Sequence, residues 1–232
     1  MSSSLTARER VRAELTREIV DVARRQLAVD GASGLSLRAV AREMGMASSA
    51  IYRYFPSRDD LLTTLIIDGY NAIGEVVENA DAAVPRTDHA GRWLAVCHAV
   101  RDWALAHPHE YALLYGSPVP GYRAPQDTVP AAVRDTVVYG RIVSDAHRAG
   151  ALNPPGEHPP VPPSFHEDAA RLRELIPGVP DNVVVRGLIA WTGLFGWISF
   201  ELFGQFNNAI LDRTAAFEHT MRCHAAILGL PA

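Results

Sequence analysis

A chain of 232 residues that is 48% hydrophobic carries enough apolar side chain for a substantial core, which excludes a largely disordered protein. Its net charge of −4 excludes a uniformly basic coat for nucleic acid. Its two cysteines, Cys97 and Cys223, lie far apart without CxxC spacing and exclude a disulfide framework or a zinc knuckle.

The charge is unevenly spread. Residues 1–58 hold ten Arg against six acids, a balance of +4, while the remainder carries −8. A basic head on an acidic body suits a protein that offers one end to phosphates. The opening residues are polar into Arg8, Glu9, Arg10 and Arg12 with no apolar run behind them. The 14 residues of 187–200, between Arg186 and Glu201, fall short of the roughly 18 that a membrane-spanning helix needs. A cytoplasmic protein with no membrane segment is expected.

In chain order, the periodicity predicts helices nearly throughout and no alternating strand, hence an all-α fold. A first helix is expected over about 8–30, with Leu15, Ile19, Val22, Ala23 and Leu27 in one stripe and Gly31 as its stop. Arg8, Arg10 and Arg12 read as its solvated start, with a basic arm reaching DNA as the alternative. Ser36 is placed to cap a short helix whose Leu37, Val40, Ala41 and Met44 share a face, and Gly45 ends it. A second short helix follows over about 47–54, and Pro56 with Ser57 precedes a long helix from Arg58 toward Ala80. Further helices are expected at about 87–106, 108–116, 127–149, 166–176, 181–206 and 212–228. Proline-rich stretches at 116–130 and 151–163, with four and six prolines, read as extended loops. The expected division is a three-helix head, residues 1–57, and a larger helical body, residues 58–232.

The segment from Leu35 to Leu62 has the requirements of a helix-turn-helix, in which one short helix braces a second that enters the major groove. Ala41 permits close helix approach, Gly45 supplies a positive φ at the turn, and Ile51 with Phe55 anchors the second helix at i, i+4 spacing. Ser48, Ser49, Tyr52 and Arg53 are left facing outward. Hydroxyls fit phosphate contacts, whereas Arg53 fits guanine O6 and N7 and is the expected specificity residue.

The run Ile51-Tyr52-x-Tyr54-Phe55-Pro56-Ser57-Arg58-Asp59, followed by Leu61 and Leu62, resembles the DNA-binding domain of the TetR family over about residues 14–62. The resemblance implies a dimeric, ligand-responsive transcriptional regulator, by family default a repressor, binding a palindromic double-stranded DNA operator. It implies DNA contacts from Ser36, Arg38, Ser48, Ser49, Tyr52, Arg53 and Tyr54, and a phosphate clamp at Arg58, where the family usually has Lys. The segment 183–206, with Trp191, Gly193, Gly196 and Trp197, resembles the C-terminal domain of a TetR subgroup named for a tryptophan, hydrophobic and glycine pattern. That likeness implies a homodimer interface from this helix and the last one, involving Gly193, Gly196, Trp197 and Gly204. It also implies a small-molecule effector pocket in the body, for which Trp93, Trp103, Tyr111, Tyr115, Tyr139, Trp191 and Phe195 are the aromatic candidates, suited to an apolar or flat effector.

The alternative is a helical enzyme or metal protein using the nine histidines, all of which lie beyond residue 88. His107 and His109 flank Pro108, and His219 and His224 are five apart, so neither pair has the HExxH arrangement. No phosphate loop, GxSxG elbow or dinucleotide fingerprint occurs. No catalytic residue, metal or cofactor is expected.

Overall fold

A computed structural model describes residues 6–153 and 159–230. Among these residues the fold is all-helical, with no strand. Thr6 opens α1 (Ala7–Gly34) with a reciprocal capping box: its hydroxyl accepts from the Glu9 N–H while the Glu9 carboxylate accepts from the Thr6 N–H. The expected stop at Gly31 is a break in this helix, where φ is 66° and ψ is 176°. There follow α2 (Leu37–Glu43), α3 (Ser48–Ile51), α4 (Arg58–Ala82), α5 (His89–Ala106) and α6 (Pro108–Tyr115). The remaining helices are α7 (Val129–Ala132), α8 (Arg134–Arg148), α9 (His166–Leu172), α10 (Asp181–Leu202) and α11 (Arg213–Leu228).

Several expectations change, among them the end of α10, which stops at Leu202 rather than near 206. Ser36 occupies the N-cap of α2 but makes no side-chain capping bond. The helix expected over 47–54 is regular only at Ser48–Ile51, after which Arg53 N–H bonds Ala50 O and Tyr54 N–H bonds Ile51 O in tighter i−3 turns. The helix expected over 127–149 divides into a 3-10 turn, α7 and α8, because Pro130 lacks an N–H and Val133 sits at φ −97°, ψ −2°. Helix α9 stops at Leu172 rather than near 176. Of the second proline-rich stretch, residues 154–158 lie outside those described; the flanking 151–153 and 159–162 have no regular structure.

The chain packs as two compact units. The first takes the helix-turn-helix onward through Tyr70 and adds His107–Val129; the second is Asn71–Ala106 with Pro130 onward. The first unit therefore extends past the expected boundary at 57 and recruits α6 and the proline-rich loop after it. Its core joins Ile19, Val22 and Ala23 of α1 to Val40, Ala41, Ile51, Phe55, Leu61 and Leu62. Leu113, Val119 and Tyr122 pack against it from α6 and the loop, and Tyr122 shares a 2.9 Å hydroxyl bond with Thr63 of α4. Arg24 of α1 reaches Asp68 of α4 at 2.9 Å and Glu110 of α6 at 3.6 Å. Burial pushes the Asp68 carboxyl above its ordinary range despite this partner.

In the second unit, polar clamps sit inside an apolar bundle. The fully buried Arg92 on α5 bonds Asp81 at the end of α4 at 2.7 Å and Asp145 of α8 at 2.9 Å. Burial raises the Asp81 carboxyl, but the bonds from Arg92 and Arg86 outweigh it and hold that group low. Arg101 of α5 grips Glu201 of α10 with two bonds of 2.8 and 2.7 Å, while its guanidinium lies 5.0 Å from the Phe217 ring of α11. Removing one partner of such a pair costs about 3–5 kcal/mol, because the other charge stays buried.

By length and composition α10 is apolar enough to cross a membrane, which the shorter count over 187–200 did not anticipate. Yet Arg186 and Glu201 near its ends are both buried, and its Val183, Ala190, Leu194 and Ile198 lie in the core of the second unit.

Asp135, in the first turn of α8, is 2% exposed, and burial pushes its carboxyl up to about 6. The folded protein therefore holds this proton to higher pH than the unfolded chain, so its stability falls as pH rises from about 4 to about 6 and is level above that. We expect Asp135→Asn to be more stable than wild type near neutrality. In urea titrations the gap should widen by about 1 kcal/mol between pH 5 and pH 7; a gap independent of pH would refute the assignment.

Candidate nucleic-acid interface and ligand cavity

The helix-turn-helix is built around one tight turn. Gly45 adopts φ 67°, a left-handed conformation open to glycine, and Met46 N–H then bonds back to Ala41 O at 2.8 Å. Ala41 of α2 and Ile51 of α3 are fully buried in one core, where the two helices meet. Phe55, 5% exposed, closes the far end. Ser57 then caps α4, accepting from the Asp60 N–H and donating to its carboxylate.

This arrangement leaves Arg38, Ser48, Ser49, Tyr52 and Arg53 exposed, Tyr52 at 44% despite its apolar ring. Ser36 and Tyr54 are half-buried, and Tyr54 packs against the core of the first unit. Arg58 is otherwise engaged: its guanidinium donates to the carbonyls of Leu35 at 3.1 Å and Ala32 at 2.7 Å. It thereby ties the start of α4 to the turn between α1 and α2.

Sequence reasoning missed Arg12. Expected to be solvated, it donates from Nη2 to the Arg53 carbonyl at 3.0 Å and lies 5.4 Å from the centroid of the Tyr54 ring. The amino end of α1 thus holds the carboxyl end of the outward-facing segment. No local pattern marks a bond spanning 41 residues.

In the second unit a cavity of about 200 Å³ lies among α5, α8, α10, α11 and the residues after α9. Three of the seven aromatic candidates line it: Trp93, Tyr139 and Trp191. The rest of the wall is largely aliphatic, with Val143, Leu175, Val184, Leu188 and Leu228 among its members. Trp103 and Phe195 are buried elsewhere in this unit, Phe195 against Trp191. Tyr111 and Tyr115 belong to the first unit, where they pack on each other and Tyr115 meets Tyr70 edge-on. Gly140 shapes the wall: a Cβ there would fall on the Leu175 carbonyl, so the backbone after α9 lies against α8 only because no side chain intervenes.

The four glycine and tryptophan positions expected at an interface divide. A Cβ at Gly193 would meet the His224 ring, so this glycine serves the approach of α10 to α11 within one subunit. Trp197 packs on Phe206 and Phe217, and Gly204, at φ 81°, follows the end of α10. Gly196 is exposed with nothing near it, in a stripe with Ile189, Thr192, Phe200 and Phe203 that sequence reasoning did not single out. Among the described residues no group of three His, Cys, Asp or Glu is placed to hold a metal ion.

Comparison with known proteins settles the class. Residues 19–65 match the family described as bacterial regulatory proteins of the tetR family, and residues 93–224 match the tetracyclin repressor-like C-terminal domain. The chain belongs to the TetR family. It is 39% identical over 223 residues to the HTH-type transcriptional regulator Rv1816 of Mycobacterium tuberculosis, covering 95% of each chain. The crystal structure of regulatory protein SCO4313 superposes with a TM-score of 0.77 at 37% identity, covering 95% of this chain and 100% of that one. A protein of unknown function from Rhodococcus sp. RHA1 gives 0.65 at 29% identity, covering 90% and 94%. TetR-family proteins are DNA-binding transcriptional regulators rather than enzymes, and the all-helical architecture with an N-terminal helix-turn-helix is theirs.

Because Arg12 fixes the carbonyl of Arg53, its loss should loosen the segment that Arg53 and Tyr54 occupy. Arg12→Ala is expected to weaken operator binding by about 1 kcal/mol while thermal stability changes little. Arg12→Lys should restore less than half of the loss, since an ammonium cannot stack as the planar guanidinium does. Fluorescence anisotropy on an operator duplex reads this directly, and full recovery with Lys would reduce Arg12 to a phosphate counter-charge.

Proposed function

We propose that this TetR-family regulator is a homodimeric repressor that reads a palindromic operator and is released by a small apolar or aromatic effector held in the cavity of the second unit. The observation that carries the DNA-reading part is the exposed set Arg38, Ser48, Ser49, Tyr52 and Arg53 on a helix-turn-helix whose other face packs into the core of the first unit. Arg53 reads a base, and the serines and Tyr52 meet phosphates. Ser36, Tyr54 and Arg58 act beside them, with Tyr54 and Arg58 bracing the reader through the contacts described above. Cytoplasmic location follows from this role.

Selection of sites from random duplexes by refolded protein, stripped of carried-over ligand, should enrich a palindrome that the Tyr52→Ala, Arg53→Ala double variant loses. Arg53→Ala alone should cost about 1–3 kcal/mol and relax preference at one position of each half-site. Equal weakening on all sequences would make Arg53 a phosphate contact, and no enrichment at low salt would defeat the reading.

Dimerisation is assigned to the stripe on α10, where Phe200 is 54% and Phe203 47% exposed, together with the exposed Ala215, His219 and Ala226 of α11. Two such helices from each subunit bury these rings, as an isologous contact requires. Phe200→Glu is expected to shift the light-scattering mass from dimer to monomer with secondary structure intact. A dimeric variant would place the interface elsewhere.

A further inference from the structure

We infer that the cavity of the second unit admits uncharged ligands and rejects organic anions, and that Asp135, one hydrogen bond behind its wall, sets this preference. The inference rests on reading that cavity as the effector site. Among the described residues that line it, none carries a charge. Two of its polar groups are engaged within the protein, while the Trp191 indole N–H, buried without a partner, is a neutral donor in the wall. The Trp93 indole N–H donates to the Met221 carbonyl at 2.9 Å. The Thr136 hydroxyl donates across 3.3 Å to the Asp135 carboxylate, which also accepts the Thr136 N–H at 2.7 Å. A ligand entering this space meets apolar surface, one neutral donor and no counter-charge, so an ion loses most of its hydration without replacement.

That penalty alone would fall on cations and anions alike. Asp135 makes it unequal. It is 2% exposed, and no Arg or His is paired with it among the described residues. Burial has raised its carboxyl only to about 6, so at pH 7.5 it is ionised, its charge compensated by the two Thr136 donors and its own backbone and by no cation. Thr136 is itself part of the wall. An anion in the cavity therefore faces a like charge across one side chain in a low-dielectric interior, where such repulsion is weakly screened. A cation of equal size faces attraction from the same group and from the aromatic faces of Trp93, Tyr139 and Trp191.

Three single-ring probes separate these terms: methyl benzoate, benzylammonium and benzoate, titrated calorimetrically into refolded full-length protein at pH 7.5. Methyl benzoate is expected to bind most tightly. Benzoate should bind at least about tenfold more weakly than benzylammonium. In Asp135→Asn the two ions should converge to within about threefold, with methyl benzoate unchanged. The wild-type comparison of the two ions stands without any variant. Benzoate binding as well as benzylammonium to the wild type, a gap that persists in Asp135→Asn, or no binding of methyl benzoate would each overturn the inference. Methyl benzoate that binds without changing operator affinity would defeat the effector switch proposed above and leave selection by charge standing.

Discussion

A helix of one turn has no stability of its own, because nucleation fixes several residues for almost no hydrogen bonding. The outward-facing segment of this protein is such a helix, Ser48–Ile51. Its orientation is borrowed entirely from tertiary contacts. Ile51 and Phe55 hold it from beneath, the Gly45 turn sets its approach, and Arg12 seizes the Arg53 carbonyl from the far end of α1. Everything the first unit does toward DNA depends on that bracing, which explains why the unit is larger than the three helices of the motif. The Arg24 network with Asp68 and Glu110, the Tyr122 to Thr63 bond and the Arg58 clamp each fix an element that the short helix leans on.

The second unit solves a different problem. Its helices are apolar enough to slide, and α10 in particular offers little chemical variation along its length. Buried ion pairs supply register where hydrophobic contact is indifferent: Arg101 with Glu201 locks α5 to α10, and Arg92 with Asp81 and Asp145 locks the end of α4 to α5 and α8. With register held by these clamps, the packing between them need not be perfect, and the cavity occupies the part of the bundle that α8, α10 and α11 leave unfilled.

Much of this was legible in the sequence wherever the physics is local. The stripe from Ile19 to Leu27, the small Ala41, the turn glycine Gly45 and the Ile51 and Phe55 anchors follow from periodicity and backbone preference, and each sits where those rules place it. The apolar length of α10 was undercounted because charged Arg186 and Glu201 bounded the stretch weighed against a membrane span, when both are buried within the helix. What was not legible depends on distant partners. Arg12 looks like any charged helix start until Tyr54 is beside it. Tyr111 and Tyr115 look like pocket walls until α6 is found packed with the first unit, and Gly193 looks like an interface glycine until His224 fills the space above it. Composition names the aromatic residues; only the packing says which of them share a cavity.

The wall of that cavity carries a consequence for breadth of response. A surface that is almost wholly apolar discriminates chiefly by fit, and a single methylene more or less changes affinity by only about 10- to 200-fold. As the effector site proposed above, it would answer to a series of congeners in graded fashion rather than to one compound. Because Gly140 and the aliphatic positions around it set the shape of the space, exchanges there would retune the series recognised without touching the helix-turn-helix of the first unit.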